Sequence, residues 1–150
     1  MLNGQNRLNI EFLTALNDAL DKVLSNENCK ALITTSEGKF YSNGIDLDWL
    51  LVQKAETSSE FAQIMQDTMW RIMHFPLPTV AALNGHAFAG GAFMAMCHDY
   101  RVMRTDRGWI SWNETHLKMP IGNALMEILK AKVWNLDAQR EAVVFGRRLT

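Results

Sequence analysis

The stretch PTVAALNGHAFAGG, residues 78–91, carries the clearest structural pattern in the chain. Thr79–Leu83 is a short apolar run rich in strand-forming residues, and the turn residues Asn84 and Gly85 close it. After Gly91 the sequence is apolar again over residues 92–97, which predicts a buried helix. The stretch therefore predicts a buried strand, a glycine-bearing connection and a helix in direct succession.

Strand and helix patterns alternate along the rest of the chain. Helices are predicted over residues 9–24, 59–74, 92–97, 124–133 and 136–145, and strands over residues 31–34, 79–83, 100–103 and 109–111. The strand at residues 31–34 is apolar for most of its length, which predicts burial on both faces. This alternation indicates the α/β class, and 150 residues suit one domain.

Composition and charge argue against several classes of partner. The formal net charge is −1 and the chain has no long basic run, so we expect no nucleic-acid partner. No apolar stretch reaches the length that a membrane span needs. Cys29 and Cys97 match no paired motif and the histidines form no HxxxH pair, so we expect reduced thiols and no metal site. No targeting signal is visible at residues 1–7 or 148–150.

Two glycine-bearing segments are candidates for holding a ligand through their backbone. Residues 40–47 (FYSNGIDL) follow a predicted strand, and residues 84–91 (NGHAFAGG) lie between a strand and a helix. Glycine allows close approach of a ligand, and a helix start near Gly91 adds unpaired N–H groups. If the segments face each other, two N–H groups could hold one oxyanion. Two tight turns needed for packing would give the same pattern, so both interpretations stay open.

Glu114 is the candidate for acid–base chemistry. It follows the predicted strand at residues 109–111 and lies in the sequence WNET, residues 112–115, close to apolar residues. A carboxylate in such a place is costly unless it is paired, exposed or functional. An exposed loop glutamate remains the alternative interpretation.

Several blocks resemble, in order and spacing, the crotonase (enoyl-CoA hydratase/isomerase) superfamily. These blocks are NRLN at 6–9, GKFYSNGIDL at 38–47, PTVAALNGHA at 78–87, AGG at 89–91 and HDY at 98–100. The loop SNGIDL and the segment HDYRVMR are most similar to the monofunctional Δ3,Δ2-enoyl-CoA isomerases. The resemblance implies a spiral of ββα units and an acyl-CoA thioester as ligand. It implies no separate cofactor, since coenzyme A is part of the substrate.

The resemblance also implies roles for individual residues. The family's two oxyanion donors fall on the N–H groups of Ile45 and Gly90, and its catalytic base falls on Glu114. The implied substrate-binding positions are Ser42, Asn43, Gly44, Ile45, Asp46, Leu47, Phe93 and Asn113. Hydratases of the family use two glutamates, and the second falls on Phe93 here. The resemblance therefore implies an isomerase that works with one glutamate in fatty-acid β-oxidation.

Family members are longer, so residues 1–150 are predicted to form a crotonase-like core domain, incomplete at both ends and without the C-terminal helical region. The resemblance implies a homotrimer for the complete protein and a peroxisomal or mitochondrial location. Two other functions stay open. One is a non-catalytic acyl-CoA-binding or assembly subunit. The other is a different crotonase-fold reaction, such as hydration or thioester hydrolysis, for which His86 is the nearest extra group. His86 itself is predicted to be a turn residue whose ring bonds to backbone.

Overall fold

The computed structural model describes residues 4–150 and begins with a capped amphipathic helix. Helix α1 spans Ile10–Leu24, and Oδ1 of Asn9 accepts a hydrogen bond from the N–H of Phe12 at 2.9 Å. A side-chain oxygen at this position satisfies one of the free N–H groups of the first turn. The helix predicted over residues 9–24 is confirmed.

Within residues 4–150, six short strands form two separate parallel sheets. The first sheet has the order β1-β3-β5, with β1 at Leu32–Thr34, β3 at Thr79–Leu83 and β5 at Tyr100–Met103. The second sheet has the order β2-β4-β6, with β2 at Phe40–Ser42, β4 at His86–Phe88 and β6 at Ile110–Ser111. Each consecutive pair of strands therefore contributes one strand to each sheet.

Helices follow each pair of strands. They are α2 at Leu47–Leu50, α3 at Ala55–Met73, α4 at Gly90–Met96, a 3-10 helix at Asn113–Leu117, α5 at Asn123–Lys132 and α6 at Leu136–Val143. The unit strand, strand, helix thus repeats along the chain, and the predicted α/β class with a ββα spiral is confirmed. In the part of the chain that the structure describes, no helix has the length and apolar character that crossing a bilayer requires.

Strands β2 and β4 lie inside the two segments that the sequence predicted to be loops. They pair in parallel with each other, with Phe40 opposite His86. A strand of three residues is too short to show an alternation of apolar and polar side chains in the sequence. Its formation depends instead on pairing with distant strands. His86 is accordingly a strand residue rather than a turn residue, although its Nδ1 does accept a hydrogen bond from the backbone N–H of Trp109 at 3.1 Å.

The prediction that residues 31–34 are buried on both faces is wrong. Leu32 is buried, but the next side chain, Ile33, is 63% exposed. Tyr100 and Val102 on β5 are exposed to a similar degree. Among the described residues, helices cover one face of this sheet, and the other face keeps apolar side chains in contact with solvent.

Helix α4 is the centre of the core and positions one wall of the site. All seven of its residues, Gly90–Met96, are buried. It packs against β2, β4 and α5, so its first residue lies close to the ends of both strands that precede it. A helix that is apolar on every side belongs in the interior, which agrees with the sequence prediction for this segment.

Candidate active site

A cavity of about 280 Å³ gathers the residues that the sequence singled out. Its wall is formed by Arg7, Asn43, Ile45, Leu47, Asp48, Ala89, Asn113, Glu114, Leu117 and Met119. Five of these were predicted as site residues, namely Asn43, Ile45, Leu47, Asn113 and Glu114. These five come from the first glycine-bearing segment and from the 3-10 helix, and Ala89 brings the second glycine-bearing segment to the same wall.

The first segment is held by the residues just before α1. The N–H of Leu8 donates to the carbonyl oxygen of Gly44 at 2.8 Å, and the N–H of Asp46 donates to the carbonyl oxygen of Leu8 at 2.9 Å. Leu8 and Ile45 form an isolated parallel bridge. Because the C=O and N–H of one trans peptide point in opposite directions, the N–H of Ile45 faces away from Leu8. No described residue accepts a hydrogen bond from this N–H.

The second segment directs the N–H of Gly90 by the same geometry. The carbonyl oxygen of Ala89 accepts hydrogen bonds from the N–H groups of Ala92 at 2.9 Å and Phe93 at 3.1 Å, so it points into α4. The N–H of Gly90 belongs to the same peptide and therefore points out of the helix. As the first residue of α4, it has no acceptor within the helix.

Ala89 holds a strained backbone conformation at this point. Its φ is 48° and its ψ is −123°, values that residues with a Cβ rarely adopt. A conformation of this kind costs about 1–3 kcal/mol and persists where the surrounding structure enforces it. Here it turns the chain between β4 and α4 and sets the direction of the Gly90 N–H.

The two segments touch through glycine. Gly44 has a φ of +78°, and a Cβ built on it would lie 2.9 Å from the carbonyl oxygen of Phe88 and 3.3 Å from the nitrogen of Gly90. A larger residue at position 44 would force the segments apart. Glycine at this position thus brings the N–H groups of Ile45 and Gly90 to neighbouring places.

Glu114 is the buried titratable group on the cavity wall. It lies in the 3-10 helix that follows β6 and is only 8% exposed. Its Oε2 is buried and bonds to no described residue. Burial raises the pKa of this carboxyl above its usual range, and a hydrogen bond from its own backbone N–H offsets the effect in part. A carboxyl with a raised pKa can accept a proton and return it near neutral pH.

Five residues with predicted roles do not form the wall of this cavity, namely Ser42, Gly44, Asp46, Gly90 and Phe93. Phe93 is fully buried and packs edge-on against Trp112, with ring centroids 6.2 Å apart. Asp46 caps α2 by accepting from the N–H of Trp49 at 3.4 Å. Ser42 and Gly44 lie behind the cavity wall. Gly90 has no side chain, so only its backbone N–H can take part in the site.

Five wall residues were not predicted from the sequence, namely Arg7, Asp48, Ala89, Leu117 and Met119. Arg7 donates through its guanidinium to Asp48 at 2.7 Å and Asp46 at 3.4 Å, so it ties the N-terminal segment to the first loop. Arg7 is part of the block at residues 6–9 that carried the family resemblance. Nothing in the local sequence placed it beside residue 48.

Comparison with known proteins agrees on one family. The family model described as enoyl-CoA hydratase/isomerase matches residues 3–150. The peroxisomal enoyl-CoA delta isomerase 1 of Arabidopsis thaliana is 32% identical over 154 residues, which cover 99% of this chain and 62% of that protein.

Solved structures named as isomerases and others named as hydratases share the fold of this chain. The apo enoyl-CoA isomerase of Mycobacterium tuberculosis superposes with a TM-score of 0.89 at 30% identity, covering 99% of this chain and 63% of that one. The enoyl-CoA hydratase EchA3 of Mycobacterium ulcerans gives a TM-score of 0.89 at 30% identity, covering 97% and 62%. The chain thus spans less than two thirds of the length of these relatives.

Proposed function

Since the chain belongs to the enoyl-CoA hydratase/isomerase family, we propose that it forms the core of a Δ3,Δ2-enoyl-CoA isomerase. The enzyme would move the double bond of a 3-enoyl-CoA thioester to the 2-position. Relatives named as delta isomerases support this proposal, while relatives named as hydratases identify the competing activity.

The observation that carries the proposal is one buried carboxylate on the cavity wall that forms no ion pair with any described residue. Glu114 is 8% exposed, whereas the other acidic wall residue, Asp48, has an 87% exposed side chain that pairs with Arg7. The family's second glutamate position is Phe93, which offers no acceptor for a water molecule. One base is sufficient for isomerisation, because the same group can remove and return one proton.

The reaction would proceed through a dienolate. Ionised Glu114 takes a proton from C2, and the electrons of the C2–H bond move toward the thioester oxygen. The N–H groups of Ile45 and Gly90 stabilise the negative charge on that oxygen. Glu114 then returns the proton to C4, which leaves the double bond between C2 and C3. No water, oxidant or metal takes part in these steps.

The apolar surroundings of Glu114 serve both halves of this cycle. Burial makes the carboxylate a stronger base, because the charged form is poorly solvated. It also keeps bulk water from the dienolate. The cavity residues Leu117 and Met119 supply apolar surface on the same wall.

The test is an ultraviolet assay that follows the conjugated thioester formed from 3-hexenoyl-CoA. We expect the absorbance of the 2-enoyl product to rise with time, with little 3-hydroxyacyl-CoA from 2-hexenoyl-CoA. Hydration of 2-hexenoyl-CoA faster than the double-bond shift would replace this proposal with a hydratase. Binding of acyl-CoA without turnover would favour a non-catalytic subunit.

The role in fatty-acid β-oxidation, the homotrimer and the peroxisomal or mitochondrial location stay predictions. The relatives from Arabidopsis thaliana named as peroxisomal support the first location, and those from Rattus norvegicus and Homo sapiens named as mitochondrial support the second. Separation of the tagged protein into organelle fractions distinguishes them.

A further inference from the structure

Ser42 is buried at the junction of the two segments that carry the proposed oxyanion donors. The resemblance implied a contact with substrate, but the side chain is fully buried and does not form the cavity wall. Its hydroxyl donates to the carbonyl oxygen of Asn6 at 2.7 Å and accepts from the N–H of Gly44 at 3.2 Å. One small group thus bonds to the N-terminal segment and to the first loop together.

Ser42 also bears directly on the second segment. A Cβ built on Gly91 would lie 2.6 Å from Cβ of Ser42 and 2.7 Å from its Oγ. The backbone oxygen of Ser42 would lie equally close, at 2.6 Å, so the first turn of α4 packs directly against both the side chain and the backbone of Ser42. Gly91 directly follows Gly90, whose N–H is one proposed donor.

The hydroxyl fixes the orientation of the other donor through Gly44. The carbonyl oxygen of Gly44 is held by the N–H of Leu8, and the N–H of Gly44 is held by Ser42. Gly44 has a φ of +78° and, as glycine, could rotate easily without these two bonds. Rotation about Gly44 would turn the peptide that carries the N–H of Ile45.

We propose that Ser42 is a positioning residue for the oxyanion hole: its hydroxyl sets the direction of the Ile45 N–H through Gly44, and its close packing on Gly91 sets the distance to the Gly90 N–H. Ser42 does not touch the substrate. It acts by bonding to Gly44 and by supporting Gly91. This inference rests on the proposed function, since it assumes that the two N–H groups hold a thioester oxygen.

The test combines turnover with the infrared spectrum of a bound thioester. A carbonyl held by two donors is polarised, so the stretching band of butyryl-CoA labelled with carbon-13 at C1 moves to lower frequency when it binds. Turnover of 3-hexenoyl-CoA and the Kd of butyryl-CoA are measured on the same samples. The variants are Ser42→Ala, which removes the hydroxyl, and Ser42→Cys, which keeps a weaker hydrogen-bonding group in its place.

Thr68→Val is the matched control. Thr68 is a buried residue whose hydroxyl also makes two bonds, donating to the carbonyl oxygen of Ile64 at 2.7 Å and accepting from Nδ2 of Asn17 at 2.7 Å. It joins α3 to α1 and does not form the wall of the Glu114 cavity. Its loss reports the general effect of removing a doubly bonded buried hydroxyl.

For Ser42→Ala we expect a smaller carbonyl shift and a kcat lower by roughly 10-fold, less than the 10²–10³-fold loss typical of deleting a donor. The Kd of butyryl-CoA should change by less than about threefold, because ground-state binding uses few of these contacts. Ser42→Cys should lie between Ser42→Ala and the parent. Thr68→Val should keep the parent's carbonyl shift and kcat.

Two outcomes overturn the inference in distinguishable ways. A folded Ser42→Ala protein with the parent's carbonyl shift and kcat would overturn it while leaving the isomerase proposal intact. A parent protein that gives no carbonyl shift would overturn the oxyanion hole, and the role of Ser42 with it. If the parent shows the shift but no isomerisation, the proposed function fails, and the shifts of the Ser42 variants alone decide the inference.

Discussion

The backbone N–H of Ala89 donates to the carbonyl oxygen of Ser111 over 2.9 Å. This bond joins the start of α4 to the end of β6, the strand that leads into Glu114. One hydrogen bond therefore connects the segment that carries the Gly90 N–H, proposed to stabilise the dienolate, with the segment that carries Glu114, proposed to move the proton. A change in the conformation of Ala89 should affect both stability and turnover.

Two substitutions at Ala89 test whether its backbone conformation is strained. Ala89→Gly should keep turnover and should not lower the free energy of unfolding, because glycine adopts the observed φ of 48° without strain. Ala89→Val should lower the free energy of unfolding by about 2 kcal/mol or more, since a branched side chain worsens a strained conformation. Urea unfolding of both variants checks the order.

The control for these substitutions is the same pair, Gly and Val, at Ala131, an exposed residue of α5. In an ordinary helix glycine is the poor choice, by about 1 kcal/mol relative to alanine. The order of Gly and Val should therefore reverse between positions 89 and 131. The same order at both positions would show that Ala89 is not strained.

Replacement of Glu114 tests the proposed base. Glu114→Gln should lower kcat for 3-hexenoyl-CoA by roughly 10²–10⁴-fold and leave the Kd of butyryl-CoA nearly unchanged. The control is Glu127→Gln, which removes an exposed carboxylate paired with Lys130 on α5. Turnover of Glu114→Gln within a few-fold of that of the control would exclude Glu114 as the base.

The raised pKa of Glu114 gives a second expectation, for the pH profile. The base must be ionised in the free enzyme, so kcat/KM should fall on the acid side at a pH above the value of about 4.3 for an unperturbed glutamate. A limb at the unperturbed value in the parent would contradict the effect of burial.

The raised pKa of Glu114 should also appear in the free energy of unfolding. As the pH rises through this pKa, activity should increase and stability should decrease. A carboxyl whose pKa is raised by folding contributes stability below its unfolded pKa, and this contribution is lost as the pH rises through the folded value. Glu114→Gln removes the buried charge, so its free energy of unfolding should exceed that of the parent at neutral pH. The difference should shrink as the pH falls, as measured by urea unfolding at several pH values.

Local patterns were enough to predict the elements that bury a continuous apolar face. The Asn9 cap and the spacing of Leu13 and Leu20 fixed α1, and the run Thr79–Leu83 fixed β3. The predicted start of α3 at residue 59 is four residues late, because the first turn, which begins at Ala55, carries no large apolar residue. The strand ends were predicted within one residue wherever turn residues closed them.

The features that the sequence did not predict depend on contacts between distant parts of the chain. Strand β4 exists because it pairs with β2 and β6, and no three-residue pattern could show that. The exposure of Ile33 depends on which face the helices cover. Within the site, Glu114 and Ile45 followed from family resemblance, but the strain at Ala89 and the buried position of Ser42 are properties of the folded backbone.

A buried hydrogen-bonded chain gives the last prediction. Nδ1 of His98 lies 3.0 Å from the carbonyl oxygen of Met94, and Nε2 lies 3.0 Å from Oγ1 of Thr34, which in turn lies 2.6 Å from Oη of Tyr41. A carbonyl oxygen only accepts, so Nδ1 carries the proton and Nε2 of the neutral ring accepts from Thr34. Tyr41 then donates to Thr34, and the ring nitrogens of His98 and the hydroxyls of Thr34 and Tyr41 all have hydrogen-bond partners.

Protonation of His98 would reverse this order. A proton on Nε2 makes it a donor, Thr34 must then donate to Tyr41, and the Tyr41 hydroxyl hydrogen loses its acceptor in a buried place. Burial lowers the pKa of His98 to about 4. A histidine whose pKa is lowered by folding contributes stability above the unfolded value of about 6.5, and this stability is lost as the pH falls toward the folded value.

We therefore expect the free energy of unfolding to contain a His98 contribution of about 3 kcal/mol that disappears between pH 7 and pH 4. His98→Gln should lack it, so the stability difference between parent and variant should shrink as the pH falls through this range. Glu114 acts in the opposite direction at overlapping pH, so the difference between the two proteins is the quantity to measure, by urea unfolding. His74→Gln, at the exposed residue that follows α3, is the control for the removal of an imidazole that lies outside this buried series. A constant difference between parent and His98→Gln from pH 7 to pH 4 would show that His98 is not kept neutral by the fold.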